Sequence, residues 1–310
     1  MSTSAPIAPP DTEDADARPG AGPPEEAPTR EVVVGVDGSE CGLRAARWAA
    51  HEAAARNAPL RILHAAPYLG RRGAGGAHSV ELSRARHITG QAFTVARHAE
   101  HDLRASTEVV PGDPVGTLLR AAAASQLVVL GSSTTGAADE LVLAPVTARL
   151  AARSPQPVVV VPRQRSGTPE GRPVTAVLGI GDPEDDEAVA AFAASAAHRT
   201  GAHLTVLQTR APGHADTQTW ADDPAEWSRR EPDLEVRRTE LPRPSAGDLL
   251  SAACPAPLVV LSAGHGHLLH RTLDGPHRWL LRHSTSPLAL IPPVRRREVD
   301  PREEEDAASG

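Results

Sequence analysis

The chain has 310 residues, room for two ordinary α/β domains. All 32 of its basic residues are arginine, so it lacks the lysine required by a Walker-type phosphate loop or a Schiff base. The formal charge of -7 sits mostly at the ends: residues 1–30 carry six acids against Arg18 and Arg30, and residues 294–310 carry six acids against four arginines. The nearly neutral body between them offers no basic footprint for nucleic acid.

The N-terminus has no basic segment leading into an apolar core, so no signal peptide is expected. No stretch reaches the length and apolarity of a membrane span. Cys41 and Cys254 lie far apart, one in each half of the chain, which argues against a disulfide framework and suits a reducing compartment. The expectation is a cytoplasmic protein with neither membrane nor nucleic acid among its partners.

Residues 1–30, rich in Pro, Ala, Asp and Glu, read as a disordered acidic tail. From Val32 to Val36 an apolar, β-branched run predicts a strand buried on both faces. Asp37-Gly38-Ser39 stops it, with Ser39 placed to cap a helix over Glu40 to Arg56 whose apolar face holds Leu43, Ala46, Ala50 and Ala54. Asn57-Ala58-Pro59 ends that helix and Leu60 to Ala66 predicts a second strand, completing a βαβ unit. Tyr68 to Ser79 is Gly-rich and reads as a mobile loop, followed by a long helix over Val80 to Arg104. A short strand over Thr107 to Val110, a helix begun by Gly112-Asp113-Pro114, and a buried strand over Gln126 to Leu130 come next. A polar loop after Gly131, a helix over Leu141 to Ala152, and a strand over Pro157 to Val161 complete the series.

Residues 164–172 are a linker by composition. The organisation then repeats. Ala176 to Asp182 aligns without gaps on Val32 to Gly38, Phe192 on Trp48, Val259 to Ser262 on Val128 to Gly131, and Ser286 to Ile291 on Gln156 to Val161. The second copy differs most between Arg210 and Glu231, where a stretch containing Pro, Asp and Trp replaces the long helix. The expected architecture is therefore α/β: two tandem, doubly wound, five-stranded parallel-sheet domains at 31–163 and 173–293, then a charged tail at 294–310.

An apolar strand ending V-G-V-D-G-S before an Ala/Arg helix resembles the start of a universal stress protein domain. The L-V-V-L-G-S run, a small-residue loop, a helix and Q-P-V-V-V-V resemble its end. The resemblance covers most of the folded chain and implies a tandem bacterial member whose domains pair through their last strands, here Val158 to Val161 and Leu288 to Ile291. Many members bind ATP, with an Asp after the first strand at the adenosine and a Gly-rich loop after the fourth strand at the phosphates. Carried onto this sequence, that implies a site of Val36, Asp37, Gly38, Ser39, Gly131, Ser132, Thr134, Ala144 and Pro145, with ATP as its ligand. Ligands at the carboxyl ends of such a sheet, and glycines with a helix N-terminus around phosphate, make physical sense.

The sequence departs from the family pattern in both copies. In the first, Thr134 replaces a Gly, Ala144-Pro145 replaces Gly-Ser, and Asp139 and Glu140 add negative charge near the phosphate end. In the second, the alignment puts Gly181 at the Asp position; the loop starts at Ser262 and carries His265, His267, His270 and Arg271 before Gly275-Pro276. Those histidines read as a solvated loop ahead of a metal site, since no supporting Cys or carboxylate spacing accompanies them. Cys41 reads as a packed small residue ahead of a reactive thiol, and no nucleophilic triad is apparent. Asp37 either contacts adenosine or only supports the turn into the helix. Two functions follow: a non-enzymatic, stress-associated regulatory protein that binds ATP weakly in its first domain, or a tandem scaffold that binds protein partners and no nucleotide.

Overall fold

Runs of Val, Leu and Ile with apolar neighbours on both sides build a sheet covered by helices on each face. The computed structural model describes residues 30–69, 75–132, 146–163, 172–179, 183–209, 223–264 and 275–294. The first half runs β1 (Val32–Gly35), α1 (Glu40–Ala55), β2 (Leu60–Ala66), α2 (Gly75–Ala99), β3 (Ala105–Pro111), α3 (Pro114–Ala124) and β4 (Leu127–Gly131), then α4 (146–153) and β5 (Val158–Val161). The second half runs β6 (Val174–Leu178), α5 (Pro183–Thr200), β7 (Leu204–Thr209), α6 (Pro224–Arg230), β8 (Val236–Leu241), α7 (Ala246–Ala253), β9 (Val259–Ser262), α8 (Gly275–His283) and β10 (Leu288–Ile291).

The ten strands of the described residues form one sheet in the order β3-β2-β1-β4-β5-β10-β9-β6-β7-β8. Every pairing is parallel except the central one, where β5 meets β10 antiparallel with Ala289 opposite Val159. The two last strands thus cover each other's edges, leaving β3 and β8 as the sheet's outer strands.

Side-chain alternation along each strand feeds two cores. Val32 and Val34 lie on the sheet face covered by α1, α2, α5 and α6, whereas Val33 lies on the face whose core includes residues of α3, α4, α7 and α8. Alanine dominates the sheet-facing side of α1 (Ala45, Ala46, Ala49, Ala50, Ala53) and of α5 (Val189, Ala190, Ala193, Ala194, Ala197), which brings both helix backbones close to the strands. Between these two helices, the Glu52 carboxylate receives Arg56 at 2.7 Å and Arg199 at 2.9 Å, and Arg56 also lies over the Phe192 ring. Burial pulls Arg199 below its ordinary pKa, and the Glu52 charge pulls it back up.

Three elements differ from the sequence reading. Helix α2 already begins at Gly75, inside the stretch expected to be a loop, and stops at Ala99, where Arg97 reaches the Leu103 carbonyl. Glycine weakens a helix by about 1 kcal/mol per residue without terminating it, so tertiary packing decides the boundary. Within 210–231 a short helix, α6, seats Trp227 in the core, 2% exposed.

The third difference is one of register. Val33 pairs with Val128, and Thr175 pairs with Val259, the counterpart of Val128. Thr175 is therefore the counterpart of Val33, a shift of 142, whereas the buried faces of the helices match Ala190 to Ala46, a shift of 144. The turn from β6 into α5 is two residues longer than that from β1 into α1, and Gly179, not Gly181, takes the place of Asp37. A slide of two residues keeps every side chain on its own face, so the apolar pattern alone cannot fix this register.

Candidate functional site

The winding of the first half reverses between β1 and β4, which pair with each other while β1 also pairs with β2. Beyond their carboxyl ends lies an open, mainly apolar cavity of about 130 Å³. Its walls include Val36 and Asp37 after β1, Leu63 and His64 on β2, Leu118 on α3 and Gly131 on β4, with Val146 and Thr147 on α4.

The turn between β1 and α1 is held by its own polar groups. Asp37 Oδ1 accepts the Ser39 N–H at 2.9 Å, and Ser39 Oγ accepts the Gly42 N–H at 3.1 Å as the N-cap of α1. Gly38 adopts φ +86, the left-handed region that glycine occupies freely. The turn leaves Asp37 exposed at the cavity while fixing one of its oxygens. Opposite it, His64 Nδ1 meets the Val36 carbonyl at 2.7 Å.

Gly131 has a packing role that needs no ligand. A Cβ there would lie 2.4 Å from the Cys41 carbonyl carbon and oxygen and 2.9 Å from the Gly42 nitrogen, so the first turn of α1 rests directly on the end of β4. Cys41 is buried and its sulfur receives Arg44 at 3.2 Å; Cys254 is likewise a free thiol.

Of the residues named from sequence, Val36, Asp37 and Gly131 line the cavity, and Gly38 and Ser39 form the adjoining turn. Ser132 directs its N–H to the Val161 carbonyl at 2.8 Å, so that donor serves the sheet. Thr134, Ala144 and Pro145 lie outside the described residues, as do Ser133, Thr135, Asp139 and Glu140. The sequence reading missed His64, Leu63, Pro114 and Leu118. Their signal was positional: the carboxyl end of β2 and the first turns of α3 border the same crevice.

The corresponding corner of the second half is closed by the chain itself. Gly179, at φ +80, gives its N–H to both Asp186 oxygens at 2.9 Å, and a Cβ there would sit 2.2 Å from the Thr209 carbonyl oxygen. Ser262, the counterpart of Gly131, donates its hydroxyl to Asp185 at 3.0 Å and accepts the Gly264 N–H at 3.0 Å. Asp185 also accepts the Val294 N–H at 2.9 Å, tying the segment after β10 to the start of α5. His277 Nε2 contacts the Ser262 carbonyl at 2.9 Å. Asp185 and Asp186 are 1% and 4% exposed, so buried carboxylates fill the first turn of α5, where the helix dipole favours an anion. His265, His267, His270 and Arg271 lie outside the described residues, as do Gly181 and Asp182. Among the described residues no three His, Cys, Asp or Glu side chains gather where a metal could bind, and no helix is long and apolar enough to cross a membrane.

Comparison with known proteins agrees with this architecture. The universal stress protein family model matches residues 28–162. Universal stress protein Rv1996 of Mycobacterium tuberculosis is 31% identical over 274 residues, covering 76% of this chain and 86% of its own. Rv2028c of the same organism, also named a universal stress protein, is 29% identical over 270 residues, covering 84% and 95%. The crystal structure of a universal stress protein from Archaeoglobus fulgidus shares the fold at TM-score 0.68 and 13% identity, over 86% of this chain and 97% of that one. The chain belongs to the universal stress protein family. A universal stress protein crystallised with cAMP matches 44% of the chain at 31% identity, with TM-score 0.34.

Proposed function

We propose that the protein is a regulatory nucleotide binder with one working site, in the first half, and that its second half serves as a structural partner. The observation that carries this reading is the asymmetry of two equivalent corners. The first keeps an open apolar cavity with an exposed Asp37 at the switch point of the winding. The second is filled by Asp185, Asp186 and Ser262. The ligand is an adenine nucleotide, ATP above all, with its base in the cavity, its ribose hydroxyls at Asp37 and its phosphates toward the loop of Thr134, Ala144 and Pro145. Domains at 31–163 and 173–293 then form an internal pseudo-dimer through β5 and β10. Output comes from binding rather than turnover. Titration calorimetry with Mg-ATP tests the proposal. One site per chain, lost in Asp37→Ala, supports it; heat from neither nucleotide nor nucleoside leaves the scaffold reading in its place.

A further inference from the structure

Helix α8 carries an exposed stripe that is both basic and aromatic. His277 and Leu280 turn into the protein, 2% and 5% exposed, while Arg278, Trp279, Arg282 and His283 are exposed. Trp279 is 39% exposed and stacks on the His283 ring with centroids 4.2 Å apart. His283 is held there by its Nδ1–H, which donates to the Trp279 carbonyl at 2.8 Å. Gly275–His283 contains no acid, and among the described residues neither Arg278 nor Arg282 makes an ion pair. The one acid of the adjoining helix α7, Asp248, is already turned onto the N–H and hydroxyl of Ser245. A flat aromatic platform between two guanidinium groups one turn apart suits a carboxylate-rich chain.

The protein supplies such a segment close by. Val294, the last described residue, gives its N–H to one oxygen of Asp185, whose other oxygen accepts the Ser262 hydroxyl. The Ser262 carbonyl in turn accepts Nε2–H of His277, in the first turn of α8. One line of hydrogen bonds therefore fixes Val294 near the start of α8. In sequence three arginines follow Val294, which stands at the acidic first turn of α5. Residues 298–310 then hold six acids against Arg302 alone, four of them consecutive at Glu303, Glu304, Glu305 and Asp306. The nine residues from Val294 to Glu303 can span up to about 30 Å, well beyond the ~13 Å length of a nine-residue helix such as α8. Alternate side chains of an extended chain repeat every ~6.6 Å, close to the ~6 Å that separates Arg278 from Arg282 along the helix axis. We infer that residues 303–306 dock on α8, with Glu303 and Glu305 on Arg278 and Arg282 and the backbone across the Trp279–His283 stack. The acidic tail thereby covers this platform in its own chain. No nucleotide takes part in the contact.

The full chain and a chain ending at Arg297 test this contact. The Trp279 indole N–H, identified by its absence from the NMR spectrum of Trp279→Phe, should resonate differently in the two. That difference should collapse in about 1 M salt, where charges are screened within roughly 3 Å. A synthetic peptide of residues 298–310 should restore the full-chain resonance when added to the shortened chain. It should bind the full chain at least about tenfold more weakly, because the tethered segment competes at an effective concentration on the order of millimolar. Arg278→Glu with Arg282→Glu should abolish the difference between the two lengths, and adding Glu303→Arg with Glu305→Arg should bring it back. An identical Trp279 resonance in the two lengths overturns the assignment. So does a difference that survives the reversal on α8, or one that the compensating pair fails to restore. Equal peptide affinity for both lengths would assign the face to an acidic partner from outside the chain. A Trp279 shift that grows with protein concentration would assign it to the tail of a second copy. Either result overturns docking within the chain.

Discussion

The most exacting consequence of the packing concerns Gly131. Replacing it by Ala adds one methyl group whose carbon would lie 2.4 Å from two backbone atoms of Cys41. Ordinary carbon contacts are near 3.5–4.0 Å, so α1 or β4 must shift by roughly 1 Å to admit it. The obstacle is backbone, which cannot rotate aside, and α1 is locked onto the sheet by Ala45, Ala46, Ala49 and Ala50, all fully buried. Overpacking of this kind costs about 1–3 kcal/mol, and the rigid neighbour puts the expected loss near the upper end. Gly90 provides the control: it lies within α2, is exposed, and a Cβ there meets nothing within 4 Å. Gly90→Ala should stabilise by about 0.5–1 kcal/mol through helix propensity. Urea unfolding followed by tryptophan fluorescence, to which Trp48, buried in α1, contributes, measures both. Equal effects of the two substitutions, or a Gly131→Ala loss under about 0.5 kcal/mol, would refute the reasoning. They would mean that α1 does not rest on β4 as described.

Two further outcomes follow from the buried charges. Glu52 is the shared counter-charge of Arg56 and Arg199, whose side chains are only 12% and 15% exposed; Glu52→Ala should therefore cost about 3 kcal/mol or more in a urea melt, and a loss below about 1 kcal/mol would show the two guanidinium groups finding water instead. Asp185→Ala removes the acceptor of both the Ser262 hydroxyl and the Val294 N–H, so stability should fall by about 1–3 kcal/mol and hydrogen exchange at the Val294 amide should accelerate; unchanged protection there would show that Asp185 does not hold the segment after β10.

Much of this molecule was legible in its sequence because parallel α/β proteins write their elements plainly. Val32–Gly35, Leu127–Gly131 and Leu288–Ile291 are near-continuous apolar runs of the length expected of strands buried on both faces. Ser39 announced α1 by capping chemistry and does cap it, and Gly112-Asp113-Pro114 announced α3, which Asp113 caps. Sequence failed where the deciding contact is distant in the chain. Gly35 and Gly179 look like one repeated landmark, yet the first lies under Leu130 and Leu118 while the second is pressed against Thr209, and only strand register separates them. His64 was invisible as a cavity residue because a histidine inside a strand has no local signature; its partner, the Val36 carbonyl, lies just past the end of the neighbouring strand. The closure of the second corner was hidden for the same reason. Two acids in the first turn of a helix are ordinary there, and the partners of Asp185, Ser262 and Val294, lie far along the chain. Gly131 was legible as important, but packing against Cys41 accounts for it before any ligand does.

Two corners of one pseudo-symmetric sheet differ, one open and one closed. Titration calorimetry with Mg-ATP on wild type, Asp37→Ala and Asp185→Ala measures it most directly. One site per chain is expected in the wild type, no binding in Asp37→Ala, and an intact single site in Asp185→Ala. Two sites in the wild type, or a site abolished by Asp185→Ala and untouched by Asp37→Ala, would contradict it.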